Sequence, residues 1–235
     1  MINTHKQFEA VVEFMKVAGQ EVLTEFKYPS TKLGRFRLRL INEEICGKNE
    51  LIDSLEKDNA VGVLDGICDV LYVTYGAYAS FGVDAPTMST EFVTTDTGNI
   101  LPMHEALNLV RYVKDSYEQL ERGLTSGDKK TIFAALSHLL INTIALARAS
   151  NFDLIGAFEE VHASNMSKFC SSEEEALESI ELRRSAGKED YAEGLVYVDS
   201  VVVDGVEYFT IKRTADGKGL KGKHFFEPDL SKYLK

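Results

Sequence analysis

The chain has 235 residues, 44% apolar and 27% charged, with 26 Lys and Arg against 37 Asp and Glu for a formal net charge of -11. That is enough chain to enclose a large core in one sizeable globular domain or two small ones, and a mean hydropathy of -0.14 speaks against an integral membrane class and wholesale disorder. No uninterrupted apolar run reaches the roughly 18 to 20 residues of a membrane-spanning helix, and MINTHKQFEAVVEF lacks the basic-then-apolar layout of a signal peptide. No membrane partner and a cytoplasmic location are therefore expected. The acidic field repels phosphate backbones, so no nucleic-acid partner is expected, although a nucleotide can be handled where a divalent cation stands between carboxylates and phosphates. Cys46, Cys68 and Cys170 are widely spaced with no CxxC, which fits buried apolar filler rather than a disulfide framework or a zinc site.

Apolar residues recur at helical spacing through most of the first 165 positions, and the pattern predicts helices near 5–18, 31–57, 59–82, 102–124, 128–149 and 153–164. The stretch from Val83 to Leu101, VDAPTMSTEFVTTDTGNIL, reads as a loop. SSEEEALESIELRRSAGKED, from Ser171 to Asp190, suits a short surface helix. Two β-branched and aromatic runs, LVYVDSVVV and VEYFTIKR, then flank Asp204-Gly205, a strong hairpin signal. A second Asp-Gly at Asp216-Gly217 opens a Lys-rich tail. The expected organisation is an all-α bundle over 1–170 and an acidic connector with a small β-hairpin over 171–235, the hairpin packing on helices because it is too short to stand alone.

Displacing the chain by 69 residues lays LRLINEEICGKNELIDSL, from Leu38, over LNLVRYVKDSYEQLERGL, from Leu107. Leu38/Leu107, Leu40/Leu109, Leu51/Leu120 and Leu55/Leu124 coincide, and the register continues through Leu71/Leu140 and Thr74/Thr143. The acids do not follow: Glu43, Glu44 and Glu50 face Tyr112, Val113 and Gln119, while Asp65 and Asp69 face Ala134 and His138. Either two Leu-rich helical pairs match by chance, or the chain is internally duplicated. In the second case the hairpin over 31–84 carries the acids, and the hairpin over 102–153 is a degenerate twin that completes the bundle.

Glu43 and Glu50 are seven residues apart and return to nearly one helix face, about 20° off. Asp65 and Asp69 are four apart and sit among Val63, Leu64, Ile67, Val70, Leu71 and Val73, so they are not plain surface acids. Two antiparallel helices can thus present Glu43, Glu44, Glu50, Asp65 and Asp69 across a groove as all-oxygen ligands for Mg²⁺ or Mn²⁺. The competing reading pairs Glu43 and Glu44 with Arg37 and Arg39, or leaves them facing water.

RLRLINEE, NELIDSLEKDNAVGVLDGICDVLYVTYGAYASFGVD and FEEVHASNMSKF together resemble the all-α nucleoside triphosphate pyrophosphohydrolases, the MazG-like and phosphoribosyl-ATP pyrophosphohydrolase-like group, and phage-type members in particular. The resemblance spans about residues 6–84 and 152–169, and more weakly DGKGLKGKHFFEPDL in the tail. It implies a MazG-like antiparallel helical bundle, metal binding by an EExxE motif on one helix and an ExxD motif on the next, and nucleotide contact by an NxxK segment. Matched by position, these are Glu43 and Glu44, then Asp69, then Asn165 and Lys168. Two departures stand out. The third glutamate falls on Glu50 counting back from Asp69 but on Gly47 counting forward, as if CysGlyLys at 46–48 were inserted to form a helix bulge. The ExxD glutamate falls on Gly66, with Asp65 one position earlier as its substitute.

The resemblance further implies that Lys168 neutralises a triphosphate and that Asn165, on the same helix face, bonds the nucleotide. Without it, a lysine near a helix end is a solvated residue favoured by the helix dipole. Arg35, Arg37 and Arg39 alternate and so do not share a helix face. One is expected to pair with Glu43 or Glu44, and Arg37 is the candidate phosphate contact. His162 has no second ligand at zinc spacing, and no GxxxxGK[ST], GxGxxG or GxSxG occurs. The expected function is metal-dependent hydrolysis of a (deoxy)nucleoside triphosphate to the monophosphate and pyrophosphate, with Glu43 and Glu44 as the catalytic pair. Alternatives are dUTP or phosphoribosyl-ATP as substrate, or a catalytically silent helical protein that binds a partner. The family builds its bundle from two subunits, so a homodimer is open, and a fused pair of hairpins would make a monomer sufficient.

Overall fold

The computed structural model describes residues 4–86 and 103–234, so most of the loop expected at 83–101 lies outside the described residues. Helices are α1 (Thr4–Val17), α2 (Thr31–Cys46), α3 (Leu51–Glu56), α4 (Ala60–Phe81), α5 (Met103–Ser126), α6 (Lys129–Ala149), α7 (Leu154–Met166) and α8 (Glu173–Ser185), followed by strands β1 (Val196–Val203) and β2 (Val206–Arg213). The fold is mainly helical with a small antiparallel C-terminal sheet, as expected. Side-chain caps set several starts: Ser30 Oγ accepts from Leu33 N, Asn59 Oδ1 from Gly62 N, Asp128 Oδ1 from Lys130 N and Ser172 Oγ from Glu175 N.

One expected element is corrected. The single helix over 31–57 is two, α2 and α3, because Gly47 is extended (ψ 165°) and Asn49 takes a left-handed φ of 66°. Lys57 Nζ bonds both Asn49 Oδ1 (3.1 Å) and Asp53 Oδ2 (2.6 Å), clamping the turn.

The chain forms two compact units. The first takes in Met1–Val12, Val22–Val161 and Asp229–Lys235. α4 is its centre: Val63, Leu64, Ile67, Leu71, Tyr75 and Phe81 are fully buried. α2, α3 and α6 pack on α4, and α5 runs along α6. Phe158 of α7 stacks on Tyr72 at 5.6 Å and meets Tyr75 edge-on at 6.0 Å. The chain end returns to this unit, with Asp153 N donating to Tyr233 O (2.9 Å) and Lys232 paired with Glu160 (3.1 Å). α4 and α6 are long and apolar enough to cross a membrane by length and composition, which the count of uninterrupted apolar runs missed; 67% and 50% of their apolar windows are buried inside the protein.

The 69-residue displacement reappears in the backbone. It carries the cap Asn59 onto Asp128 and the first residue of α4, Ala60, onto that of α6, Lys129. Hydrogen bonds correspond pair for pair: Asn59 N to Ser54 O (2.9 Å) with Asp128 N to Gly123 O (3.0 Å), and Val83 N to Tyr78 O (3.0 Å) with Phe152 N to Ala147 O (3.1 Å). Gly82 (φ 66°) and Asn151 (φ 55°) both take the left-handed conformation that ends a helix. The break at 47–50 has no counterpart, since 116–119 lie inside the continuous α5.

The second unit comprises Glu13–Glu21 and His162–Pro228, so the SNMSK segment falls with the hairpin. β1 and β2 pair antiparallel from Val196↔Arg213 to Val203↔Val206. Asp204 (φ 50°) and Gly205 (φ 82°) supply the two positive φ angles that a tight hairpin turn of this twist requires. The hairpin has its own core: Ile211 and Leu220 close on Cys170, Ala176 and Ile180 of the α8 side and on Tyr191. Buried Ser179 Oγ donates to Glu175 O (2.7 Å) and accepts from Lys223 N (2.9 Å), and Tyr191 Oη donates to Lys221 O (2.7 Å), which ties the Lys-rich tail down.

Candidate metal centre

The buried stripe of α2 is Gly34, Arg37, Ile41 and Ile45, which leaves Glu44 half-buried at its flank and Glu43 in solvent. On α4 the apolar residues face inward on nearly every side, and Asp65 and Asp69 share the one half-buried stripe. Between them sits Gly66, where a Cβ would stand 2.8 Å from both Cα and N of Leu51. The absence of a side chain there lets the first turn of α3 lie against α4. A glutamate at 66 is incompatible with that contact, which accounts for the displaced motif acid. Glu50 is the residue before α3, its side chain makes no cap bond, and it is directed to Glu44 and Asp69 instead.

Glu44, Glu50 and Asp69 each offer a carboxylate oxygen, and the three lie within 4.8 Å of one another. Burial, then the charges of Glu50, Glu43 and Asp65, raise Glu44 to about 7. A side-chain interaction between Glu44 and Glu50 raises the first and lowers the second. Glu50 is nevertheless raised, by burial and by Asp65. Asp65 thus acts on the group through its field, although its oxygens are not among the three that converge. The Cys68 thiol, fully buried and beside Asp69 and Asp65, is pushed well up and stays protonated.

The other expected residues fall elsewhere. Glu43 pairs with Arg39 Nε at 3.7 Å with both side chains exposed, which fulfils the expected arginine pairing but contributes little. Arg37, the expected phosphate contact, is buried, at 4% exposure, and its Nε and Nη2 donate to Ser80 Oγ on α4 (2.9 and 2.5 Å). Burial lowers it to about 10, still charged at neutral pH. It lies on the α2 stripe that faces the core and so packs two helices together. Asn165 and Lys168 belong to the second unit, where Lys168 Nζ donates to Asn165 Oδ1 (2.5 Å). In that unit burial lowers His162, and Glu13, 3.8 Å away, opposes the shift.

Sequence reasoning named Gly47 and Gly66 as departures from the motif but missed the close approaches that they allow. Gly66 fixes the approach of α3. At Gly47 a Cβ would stand 2.8 Å from Glu50 Cγ and 2.4 Å from Glu43 O, so its bareness leaves room for the Glu50 side chain. The usable signal was a glycine in the middle of an apolar helix, which marks a close backbone approach when it is retained at a propensity cost.

The donor set fits a hard divalent cation. Mg²⁺ binds oxygen at roughly 2.1 Å, so ligand oxygens stand roughly 3 Å apart when adjacent and roughly 4.2 Å when opposed; three oxygens within 4.8 Å can close to that geometry by small side-chain rotations. The set is all oxygen, with no sulfur or imidazole to favour softer metals.

A helical unit whose paired helices bring acids together in this way is similar to the MazG-like class of all-α nucleoside triphosphate pyrophosphohydrolases. Residues 11–96, which include all five acids, match the family model described as phosphoribosyl-ATP pyrophosphohydrolase, a part of that superfamily. The chain is also 28% identical to the uncharacterized protein L479 of Acanthamoeba polyphaga mimivirus, over 97% of this chain and 95% of that one. No solved structure matches it.

Proposed function

We propose that the protein hydrolyses a (deoxy)nucleoside triphosphate to the monophosphate and pyrophosphate, with Mg²⁺ or Mn²⁺ held by Glu44, Glu50 and Asp69. The observation that carries this reading is the convergence of those three half-buried carboxylates inside the segment that matches a pyrophosphohydrolase family. Three half-buried acids in one place are costly to keep charged, as burial first and the neighbouring charges second raise Glu44, and a divalent cation is the compensation their oxygen-only chemistry suits. The bound cation supplies charge neutralisation at the phosphate oxygens and acidifies a water.

Asp65, close but outside the converging group, holds a negative field over the centre and keeps the cation's affinity high. Glu43 lies one residue from Glu44, is solvent-facing and, among the described residues, is held only by its exposed pair with Arg39, so it is the acid proposed to take a proton from water. Asn165 and Lys168 are proposed to contact the nucleotide, on the family resemblance alone; Lys168→Ala is then expected to lower kcat/KM about 10- to 100-fold. A panel of nucleoside triphosphates, dUTP and phosphoribosyl-ATP with Mg²⁺, reading pyrophosphate and orthophosphate separately, tests the proposal. Pyrophosphate in step with monophosphate is expected for at least one substrate; orthophosphate alone, or no turnover on any of them, refutes it.

A further inference from the structure

In the second unit the Lys-rich tail is fastened along the SNMSK segment. Gly222 N donates to Lys168 O (3.3 Å), Phe226 N donates to Ser167 Oγ (3.3 Å), and buried Ser164 Oγ donates to Phe226 O (2.7 Å). Ser167 Oγ in turn donates to Ser164 O (2.7 Å), so the two serines that grip Phe226 are themselves tied together. The approach needs a glycine: a Cβ at Gly222 would stand 3.0 Å from Cys170 Sγ and 3.2 Å from Lys168 O. Both backbone polar groups of Phe226 are thereby fixed against the segment that carries Asn165 and Lys168, all within the second unit.

Phe226 is nonetheless 43% exposed. Its neighbour Phe225 is half-buried, with Lys221 Nζ 4.1 Å from the centre of its ring. Most other exposed aromatic residues are engaged in the same way: Arg37 and Arg39 lie over Phe36, Arg111 lies over Tyr112, and Tyr28 meets Phe26 edge-on at 4.9 Å. Among the described residues, Phe226 and Tyr197 are the exposed rings with no such contact, and of the two only Phe226 is pinned beside Asn165 and Lys168. An apolar ring kept in water on a fixed backbone gains nothing from burial. It is the preorganised form of a stacking surface.

We propose that Phe226 is the platform on which the base of the nucleotide stacks. The proposal rests on the reading that Asn165 and Lys168 contact a nucleotide, and it adds the group that holds the end of the ligand away from the phosphates. Lys168 Nζ donates to Asn165 Oδ1 (2.5 Å), which leaves the Asn165 amide nitrogen as the donor to sugar or base. One short stretch thus supplies an ammonium for phosphate, an amide donor and a flat apolar face. Every base has a π face, so a ring selects base-bearing over base-free phosphates and reads no base edge. Purines present the larger face and should bind more tightly than pyrimidines.

The chain has no tryptophan, so Phe226→Trp places a single indole reporter at the platform. Its fluorescence in the full chain with Mg²⁺ is titrated with the α,β-methylene analogues of ATP and CTP, which resist cleavage at the α–β bond, and with inorganic tripolyphosphate. Saturable quenching is expected with the ATP analogue, at higher concentration with the CTP analogue, and not with tripolyphosphate. No quenching by either analogue, in a protein whose wild type hydrolyses nucleotides, overturns the platform and leaves the hydrolase reading standing; equal quenching by tripolyphosphate also overturns it. Quenching by the analogues in a protein whose wild type turns over no nucleotide supports the platform and overturns hydrolysis, and neither quenching nor turnover overturns both. Calorimetry decides the matter without the reporter should Phe226→Trp not fold: Phe226→Ala should weaken the ATP analogue about 10-fold and Phe226→Tyr should restore it, whereas equal affinity in wild type and both variants overturns the platform.

Discussion

The two helical hairpins of the first unit share caps, end turns and crossing contacts, yet among the described residues only one gathers carboxylates. In α2–α4 the first arm breaks after Cys46, and α3 leans on α4 at Gly66; in α5–α6 the corresponding arm is unbroken, and the counterpart of Gly66 is Ala135, fully buried with its Cβ accommodated. The hydrophobic framework therefore does not distinguish them. The difference lies in a four-residue turn and one missing methyl group, which together bring Glu50 from a separate helix to Glu44 and Asp69.

The largest effects should come from the acids that the turn gathers. Asp69→Asn and Glu44→Gln keep shape and remove charge, and turnover is expected to fall about 100- to 1000-fold, as for loss of a group that holds transition-state charge. Gln119→Ala or His138→Ala in the twin should leave turnover within roughly a factor of two of wild type. Steady-state pyrophosphate release measures both, and an active Asp69→Asn protein would erase the contrast.

The glycines come next. Gly66→Ala forces α3 off α4 and is expected to cost about 1 to 3 kcal/mol in denaturant unfolding, whereas Ala135→Gly should cost about 1 kcal/mol through helix propensity. Gly47→Ala crowds the Glu50 side chain, so it should weaken Mn²⁺ binding more than it weakens the fold. If Gly66→Ala unfolds like wild type, the close approach of α3 is not what sets the site.

A smaller effect is the pH dependence of the metal-free protein. The folded state raises Glu44 from an ordinary 4.5 to about 7, so it binds a proton that the unfolded chain has lost. That contribution to stability is complete below about 4.5 and is lost as pH rises through about 7, and the melting temperature without metal should fall across that window. Glu44→Gln should flatten the fall and Mg²⁺ should reverse it. At the other end of the scale, Arg39→Ala removes only an exposed pair and should change stability by less than about 1 kcal/mol.

Much of the first unit was legible because helical periodicity and caps act locally: α4 and α6 lie within a residue or so of their expected bounds. The β-hairpin was legible from Asp204-Gly205 for the same reason. What was not legible depends on neighbours distant in sequence. Arg37 looked like one of three alternating arginines, and only the packing of α2 on α4 shows that it faces Ser80. Nothing local marks Gly66 as the landing point of Leu51, or sends the tail from Asp229 onward back to the first unit. The ambiguity between Gly47 and Glu50 was one of counting, and it arises at a turn whose residues change direction instead of prolonging the helix.

The most direct test of the account is Mn²⁺ binding, by electron paramagnetic resonance, in Glu50→Gln and Glu43→Gln beside the wild type. If the centre is Glu44, Glu50 and Asp69, Glu50→Gln loses most of the binding and Glu43→Gln keeps it. Wild-type binding in Glu50→Gln, or its loss in Glu43→Gln alone, would contradict the centre described.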